Sequence, residues 1–219
     1  NSRLILDIGA NVGYYAVKLG RVLPTGGRMI CFEPLPTSLE QLRRNIELNG
    51  LSNLVSVESF AVSDQDGIAH LHVPQISGTS ASSMRNLHPD EVNDAIEIKT
   101  RRLDMFLNES NLEGVDLIKI DVEGAEWLAL SGGWESIKRD RPMIFAELLR
   151  KWSAGFGYHP NLVVQNLVSL GYQCFAVGKA LRPLLEISED TIETNFLFLT
   201  MDSLHLSCLG ELKQQNLIA

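Results

Sequence analysis

Cysteine is scarce and scattered. Cys31, Cys174 and Cys208 show no C-x-x-C spacing and stand in apolar surroundings, which excludes a disulfide framework and points to buried, reduced thiols in a cytoplasmic compartment. Positive charge is scarce as well: 19 Lys and Arg against 27 Asp and Glu leave a net charge of −8, whereas a phosphate-backbone partner needs the reverse, so no nucleic acid is expected. No apolar run reaches the length of a membrane helix and no signal peptide is visible, so neither a membrane span nor export is expected. Internal repeats and low-complexity runs are missing too. So are two nucleotide signatures. The glycine stretch gives Gly9, Asn11 and Gly13 with Tyr14 where a dinucleotide fingerprint requires its last glycine, and no glycine loop is followed by Lys and then Ser or Thr, which excludes a P-loop.

What is present is organised around "LILDIGANVGYY" at the start of the chain. Leu4, Ile5, Leu6 and Ile8 read as a strand buried on both faces, as in a parallel sheet. Asp7 falls at its C-terminal end, Gly9 and Gly13 permit a tight turn with close backbone approach, and Asn11 tolerates a left-handed conformation. In open α/β sheets ligands bind at that edge, near the N-terminus of the following helix. Glu33 ends a second apolar strand, "RMICFEP", 20 residues beyond Gly13, the offset at which an acid accepts hydrogen bonds from ribose hydroxyls. A nucleoside-like ligand with an amine and a positive charge fits Asp7, the turn and Glu33; S-adenosylmethionine is such a ligand.

The hydrophobic content of 45 % and charged content of 21 % suit one globular domain. Strands and helices alternate, the mark of a doubly wound α/β sheet. The pattern predicts helices over 14–23, from a Thr37 or Ser38 cap to Asn49, over 125–137 and from His159 and Pro160 to Leu170. It predicts strands over 55–62, 115–122, "PMIFAEL", "YQCFAV" and "NFLFLT". The segment 63–102 interrupts the alternation: "IAHLHV" and "IEIKTRRL" alternate as strands do, giving an inserted β-hairpin or arm whose serine-rich tip is either a mobile loop or a lid or substrate wall. The domain is expected over 1–202, with 203–219 a tail or short helix.

"LDIGANVGYYA", "FEPLP", "LNG", "AVSDQDG" and above all "LIKIDVEGAEWLAL" resemble the FkbM-type family of S-adenosylmethionine-dependent methyltransferases, over about Leu4 to Val177. The resemblance implies a seven-stranded, mostly parallel Rossmann-like sheet, S-adenosylmethionine as cofactor, and O-methylation of a hydroxyl on a sugar or other small metabolite. Cofactor contacts are expected at Asp7, Gly9, Ala10, Asn11, Gly13, Glu33 and Pro34, with adenine near Ala61 and Val62. Many methyltransferases place an acid for the adenine amine there; this sequence does not, which leaves backbone, Ser63 or Asp64 for that contact. The alternatives are a nicotinamide-dependent oxidoreductase, which the incomplete fingerprint disfavours, and a non-catalytic methyltransferase-like scaffold, which has no need for acids at every ligand-edge strand.

For the chemistry, Asp121 is the first choice of proton acceptor, because a strand end fixes it and no helix-capping role explains it. Glu123 and Glu147 come second, as base or as groups that orient the acceptor. Glu126 is explained by its place in a helix's first turn. No metal is expected: His70 and His72 share a strand face without a third ligand, and a cation at Asp121 and Glu123 needs more oxygen ligands than the sequence identifies. His159, at a helix start, is a further candidate base. Trp152, Phe156 and Tyr158 either stack on an acceptor or pack internally.

Overall fold

The computed structural model describes residues 3–200. The expected tail at 203–219, with Cys208 and His205, lies outside the described residues. The chain opens with β1 (Leu4–Ile8), α1 (Tyr14–Gly20), β2 (Arg28–Phe32), α2 (Pro36–Leu48) and β3 (Val55–Glu58). An inserted portion follows, with β4 (Ala61–Val62), β5 (Gly67–Pro74) and β6 (Asn93–Arg101). Alternation resumes with α3 (Leu103–Glu109), β7 (Val115–Ile120), α4 (Glu126–Gly132), α5 (Trp134–Asp140) and β8 (Met143–Glu147). The end is α6 (Arg150–Gly155), α7 (Asn161–Ser169), β9 (Gln173–Val177), β10 (Leu181–Leu184) and β11 (Asn195–Leu199).

The main sheet has the order β10-β9-β11-β8-β7-β1-β2-β3. The strands from β8 to β3 run parallel, and β11 is antiparallel to both β8 and β9. The chain first winds outward from β1 to β3 and then returns to β7 on the other side of β1. The ends of β1 and β7 therefore flank the switch point, where α/β sheets open a crevice. Successive residues of β2 show why both faces are covered. Ile30 and Phe32 join the core under α3, α4 and α7, whereas Met29 and Cys31 join Ala16 of α1 and Leu42 and Ile46 of α2. No helix among the described residues is long and apolar enough to cross a membrane.

Four expectations are corrected. The sheet has eight strands, not seven; the extra one, β10, carries Pro183 on the sheet edge, where a residue without an N–H is tolerated and no strand signal shows. The expected third strand over 55–62 divides, β3 pairing with β2 and β4 with β6. Helix 125–137 breaks at Gly133, whose Cα lies so close to Leu103 that a β-carbon there would meet its Cδ2 at 2.7 Å. The start of α2 has no Thr or Ser side-chain cap: Leu35 occupies the cap position and Pro36 the first turn, where its missing N–H is harmless.

The arm is an antiparallel hairpin, β5 against β6 from Gly67↔Thr100 to Pro74↔Asn93. Its tip turns back, since the backbones of His72 and Ser83 exchange two hydrogen bonds. Leu71 and Ile98 pack on Leu35, which lays the arm over the ligand edge next to Glu33.

Candidate active site

Three left-handed residues, Gly9, Asn11 and Gly13, carry the chain from β1 into α1. The N–H groups of Gly9 and Ala10 both donate to the Phe32 carbonyl, at 3.0 and 3.1 Å, so the turn is moulded on the end of β2. Glu33 completes it: Oε2 accepts the Asn11 N–H at 2.8 Å and Oε1 the Leu35 N–H at 2.9 Å. Burial pushes the Glu33 carboxyl above the usual range, and these two N–H groups work against that. Each oxygen retains a lone pair for a ligand.

Asp7 is 0 % exposed and does not line the cleft. It is expected among the cofactor contacts; its partner is instead Lys119 of β7, with Nζ 3.2 Å from Asp7 Oδ1. The same ammonium donates to the Gly9 carbonyl at 3.0 Å and lies 3.6 Å from Asp121 Oδ2 and 5.0 Å from the Tyr15 ring centroid. Burial alone would lower the Lys119 pKa, but Asp7 and Asp121 outweigh it and raise it above the usual lysine range, so Lys119 is a cation. Lys119 was missed as a site residue. Its signal was visible: one lysine inside the apolar run "LIKI" of a buried strand.

Beyond β7, the left-handed Glu123 and Gly124 turn the chain into α4. Asp121, Glu123 and, from the end of β8, Glu147 bring one carboxylate oxygen each within 4.8 Å of one another. Among the described residues they are the one group of three such side chains close enough to hold a cation. Burial, and then the charges of Asp121, Glu147 and Glu126, push the Glu123 carboxyl up to about 8. Glu147 is raised by burial and by Asp121. Glu126 has a local role: Oε1 accepts the Val122 and Gly124 N–H groups at 3.3 and 3.0 Å, bracing the loop that carries Glu123.

Glu33, Asp121 and Glu123 meet in one cleft of about 660 Å³, its open mouth included. Gly9, Asn11, Pro34, Ala61 and Val62 line it as well. Ala10 is buried against α1 and α2, Gly13 caps α1, and neither lines the cleft. Of the two readings offered for the serine-rich tip, the structure places it as a wall of the cleft: Leu71, Thr79, Ser80, Ser82 and Met84 line it, fastened where Ser83 Oγ donates to the Glu123 carbonyl at 2.7 Å. The serine-rich tip thus stands on the same side as Glu33 and Pro34.

Other candidates lie elsewhere. Ser63 and Asp64 line a separate groove with Asp66 and Arg85. His159 Nδ1 accepts the Asn161 N–H at 3.2 Å, at the start of α7, in a groove with Arg150 and Glu186. Trp152 packs between His88, at 5.1 Å between ring centroids, and the Lys151 ammonium, at 4.5 Å. The Arg85 guanidinium sits 5.9 Å from the Phe156 ring centroid, and the Tyr158 hydroxyl donates to the Gly124 carbonyl at 2.7 Å. These aromatic rings are engaged in internal packing.

The Methyltransferase FkbM domain matches residues 7–174. Among curated proteins, the 2-O-methyltransferase NoeI of Sinorhizobium fredii is 31 % identical over 150 residues, 63 % of this chain and 60 % of that protein. Methyltransferase 1 of Beauveria bassiana is 30 % identical over 144 residues, 58 % of this chain and 57 % of its own length. The match therefore spans less than two thirds of either relative. Among solved structures, the methyltransferase FkbM of Methylobacillus flagellatus aligns with a TM-score of 0.56 at 19 % identity, over 90 % of this chain and 43 % of that one. An O-methyltransferase of Bacillus cereus in complex with SAH aligns at 0.50 and 18 % identity, over 90 % and 73 %. At such identities the structural likeness establishes a shared fold.

Proposed function

The chain belongs to the FkbM methyltransferase family, and from that premise we propose that it transfers a methyl group from S-adenosylmethionine to a hydroxyl of a small acceptor, a sugar being the leading class. The observation that carries the reading is the single cleft in which the glycine turn and Glu33 face the paired acids Asp121 and Glu123, with Glu147 beside them.

The cofactor fits the residues present. A β-carbon on Gly9 would overlap the Asp121 carbonyl oxygen, so only glycine lets the two loops pack this closely at the switch point, and Gly9 itself lines the cleft. Glu33 has lone pairs left for a vicinal diol, and Pro34, Phe60, Ala61, Val62, Leu71 and Met84 offer an apolar slot for a flat heterocycle. Bound there, S-adenosylmethionine supplies an electrophilic methyl group on a sulfonium. The chain's own residues have two tasks. The first is to place an acceptor oxygen, and fixed positioning is worth on the order of 7–11 kcal/mol. The second is to take its proton.

Glu123 suits the second task. A carboxyl with a pKa of about 8 is a stronger base than an ordinary carboxylate, and roughly a tenth of it is ionised at pH 7. Asp121, the first choice from sequence, is tied to Lys119 and orients the cluster, with Glu147 as a second proton site. Thermal shift and calorimetry with S-adenosylmethionine, S-adenosylhomocysteine and NAD test the reading. A ligand at 100 times its dissociation constant adds about 2.7 kcal/mol of stability. Both sulfur ligands should stabilise the protein and NAD should not; tighter binding of NAD would overturn the assignment.

A further inference from the structure

Lys119 does more than neutralise a buried acid. In the parallel pairing of β1 with β7, Asp7 and Lys119 are opposite each other, so their side chains leave the sheet on the same face. An ammonium has three N–H donors, and three oxygens surround this one: Asp7 Oδ1 at 3.2 Å, the Gly9 carbonyl at 3.0 Å and Asp121 Oδ2 at 3.6 Å. A counter-ion for Asp7 alone would need neither of the last two. They belong to the two loops that form the cleft, one after β1 and one after β7; the roots of these loops are already tied where the Asp121 N–H donates to the Ile8 carbonyl at 3.1 Å, and beyond that bond Lys119 is the side chain that reaches both.

We propose that Lys119 is a positioning residue that locks the glycine turn to the acid cluster, fixing the Gly9 carbonyl and the Asp121 carboxylate relative to each other. The inference rests on the methyltransferase reading for its meaning and on the apo geometry for its test. A rigid link between the two loops sets the distance between the methyl donor's seat and the acids that receive the acceptor's proton, and an error of about 1 Å there lowers turnover roughly a hundredfold.

Removing Lys119 alone strands the buried Asp7 charge and invites unfolding. The test therefore compares the wild type with Asp7→Asn, which keeps the ammonium, its hydrogen bond to Gly9 and its ion pair with Asp121, and with Asp7→Asn/Lys119→Met, which removes both charges. Two readouts are taken: hydrogen exchange of the Gly9–Gly13 amides in the free protein, and affinity for S-adenosylhomocysteine by calorimetry. The double variant is expected to exchange those amides at least tenfold faster and to bind at least tenfold more weakly; Asp7→Asn is expected to stay within threefold of wild type on both. A folded double variant with wild-type protection and affinity reduces Lys119 to a charge neutraliser and overturns the proposal. So does an Asp7→Asn protein that exchanges those amides at least tenfold faster and binds at least tenfold more weakly than wild type, a result that stands even if the double variant does not fold. Failure of the wild type to bind S-adenosylhomocysteine sinks the functional reading instead, and the exchange rates still decide the role of Lys119.

Discussion

Glu126 should make the protein less stable as pH rises, and replacing it with Gln should remove that slope. The residue is 2 % exposed, and burial pushes its carboxyl from 4.5 up to about 7 even though the Val122 and Gly124 N–H groups pull it down. Between those two values the folded chain binds more protons than the unfolded one, so stability falls as pH rises through the window. The penalty is absent below about pH 4.5 and complete above about pH 7. At 1.36 kcal/mol per unit its upper bound is about 3 kcal/mol. Glutamine keeps an acceptor for both N–H groups and turns its amide toward the Tyr158 hydroxyl, which lies 3.3 Å from Glu126 Oε2. Urea unfolding of wild type and Glu126→Gln from pH 4.5 to 8.5 should show near-equal stability at the acid end and an advantage of about 1–3 kcal/mol for the variant at the alkaline end. A difference that does not change with pH would refute the argument, because it would mean that Glu126 is charged throughout or that its shift is matched in the unfolded chain.

Gly9→Ala combines a positive φ of 79° with overlap of the new β-carbon on the Asp121 carbonyl. The turn must withdraw by about 1 Å, and turnover should fall roughly a hundredfold; a loss under threefold would show that the two loops separate freely. Turnover should rise with pH through a limb near 8, as Glu123 loses its proton. Glu123→Gln should abolish that limb and slow turnover by about 10²–10⁴ while cofactor affinity stays unchanged; a persistent limb near 8 would assign the base elsewhere.

The legible parts of the fold and site were those in which one short stretch fixes the answer. The strand before Asp7, the left-handed turn positions and the acid 20 residues on at Glu33 are local patterns, and α/β geometry then places them at one edge. The hairpin of β5 and β6 was legible because alternation needs no knowledge of the rest of the fold. The break at Gly133, the division of the third strand and the docking of the serine-rich tip were not, because each is decided by an approach between distant segments. Gly132 shows the kind of constraint involved: a β-carbon there would overlap the Ser63 carbonyl oxygen, and nothing near Gly132 in the chain announces Ser63. Lys119 lay between the two cases. Its residue type in a buried strand demanded a partner, but which acid answered depended on the register of β1 against β7.

That register also explains why the site tolerates so many acids. Asp7, Glu33, Asp121, Glu123 and Glu147 gather at one sheet edge because each lies at, or within three residues of, the C-terminal end of a parallel strand, and like charges so close cannot all be ionised together. At an effective dielectric constant of 20, two unit charges 4.8 Å apart repel by about 3.5 kcal/mol. The structure relieves this in three ways. Backbone N–H groups take up Glu33, one ammonium faces Asp7 and Asp121, and Glu123, beyond both, retains a proton at neutral pH. Glu123 has no such N–H donor or ion-pair partner of its own among the described contacts, and the charges of Asp121, Glu147 and Glu126 add to burial in lifting its pKa toward working pH. Proton-accepting capacity at the mouth of the cleft arises from crowding that is satisfied deeper inside, so a substitution at Lys119 should be felt at Glu123 even though the two side chains share no hydrogen bond.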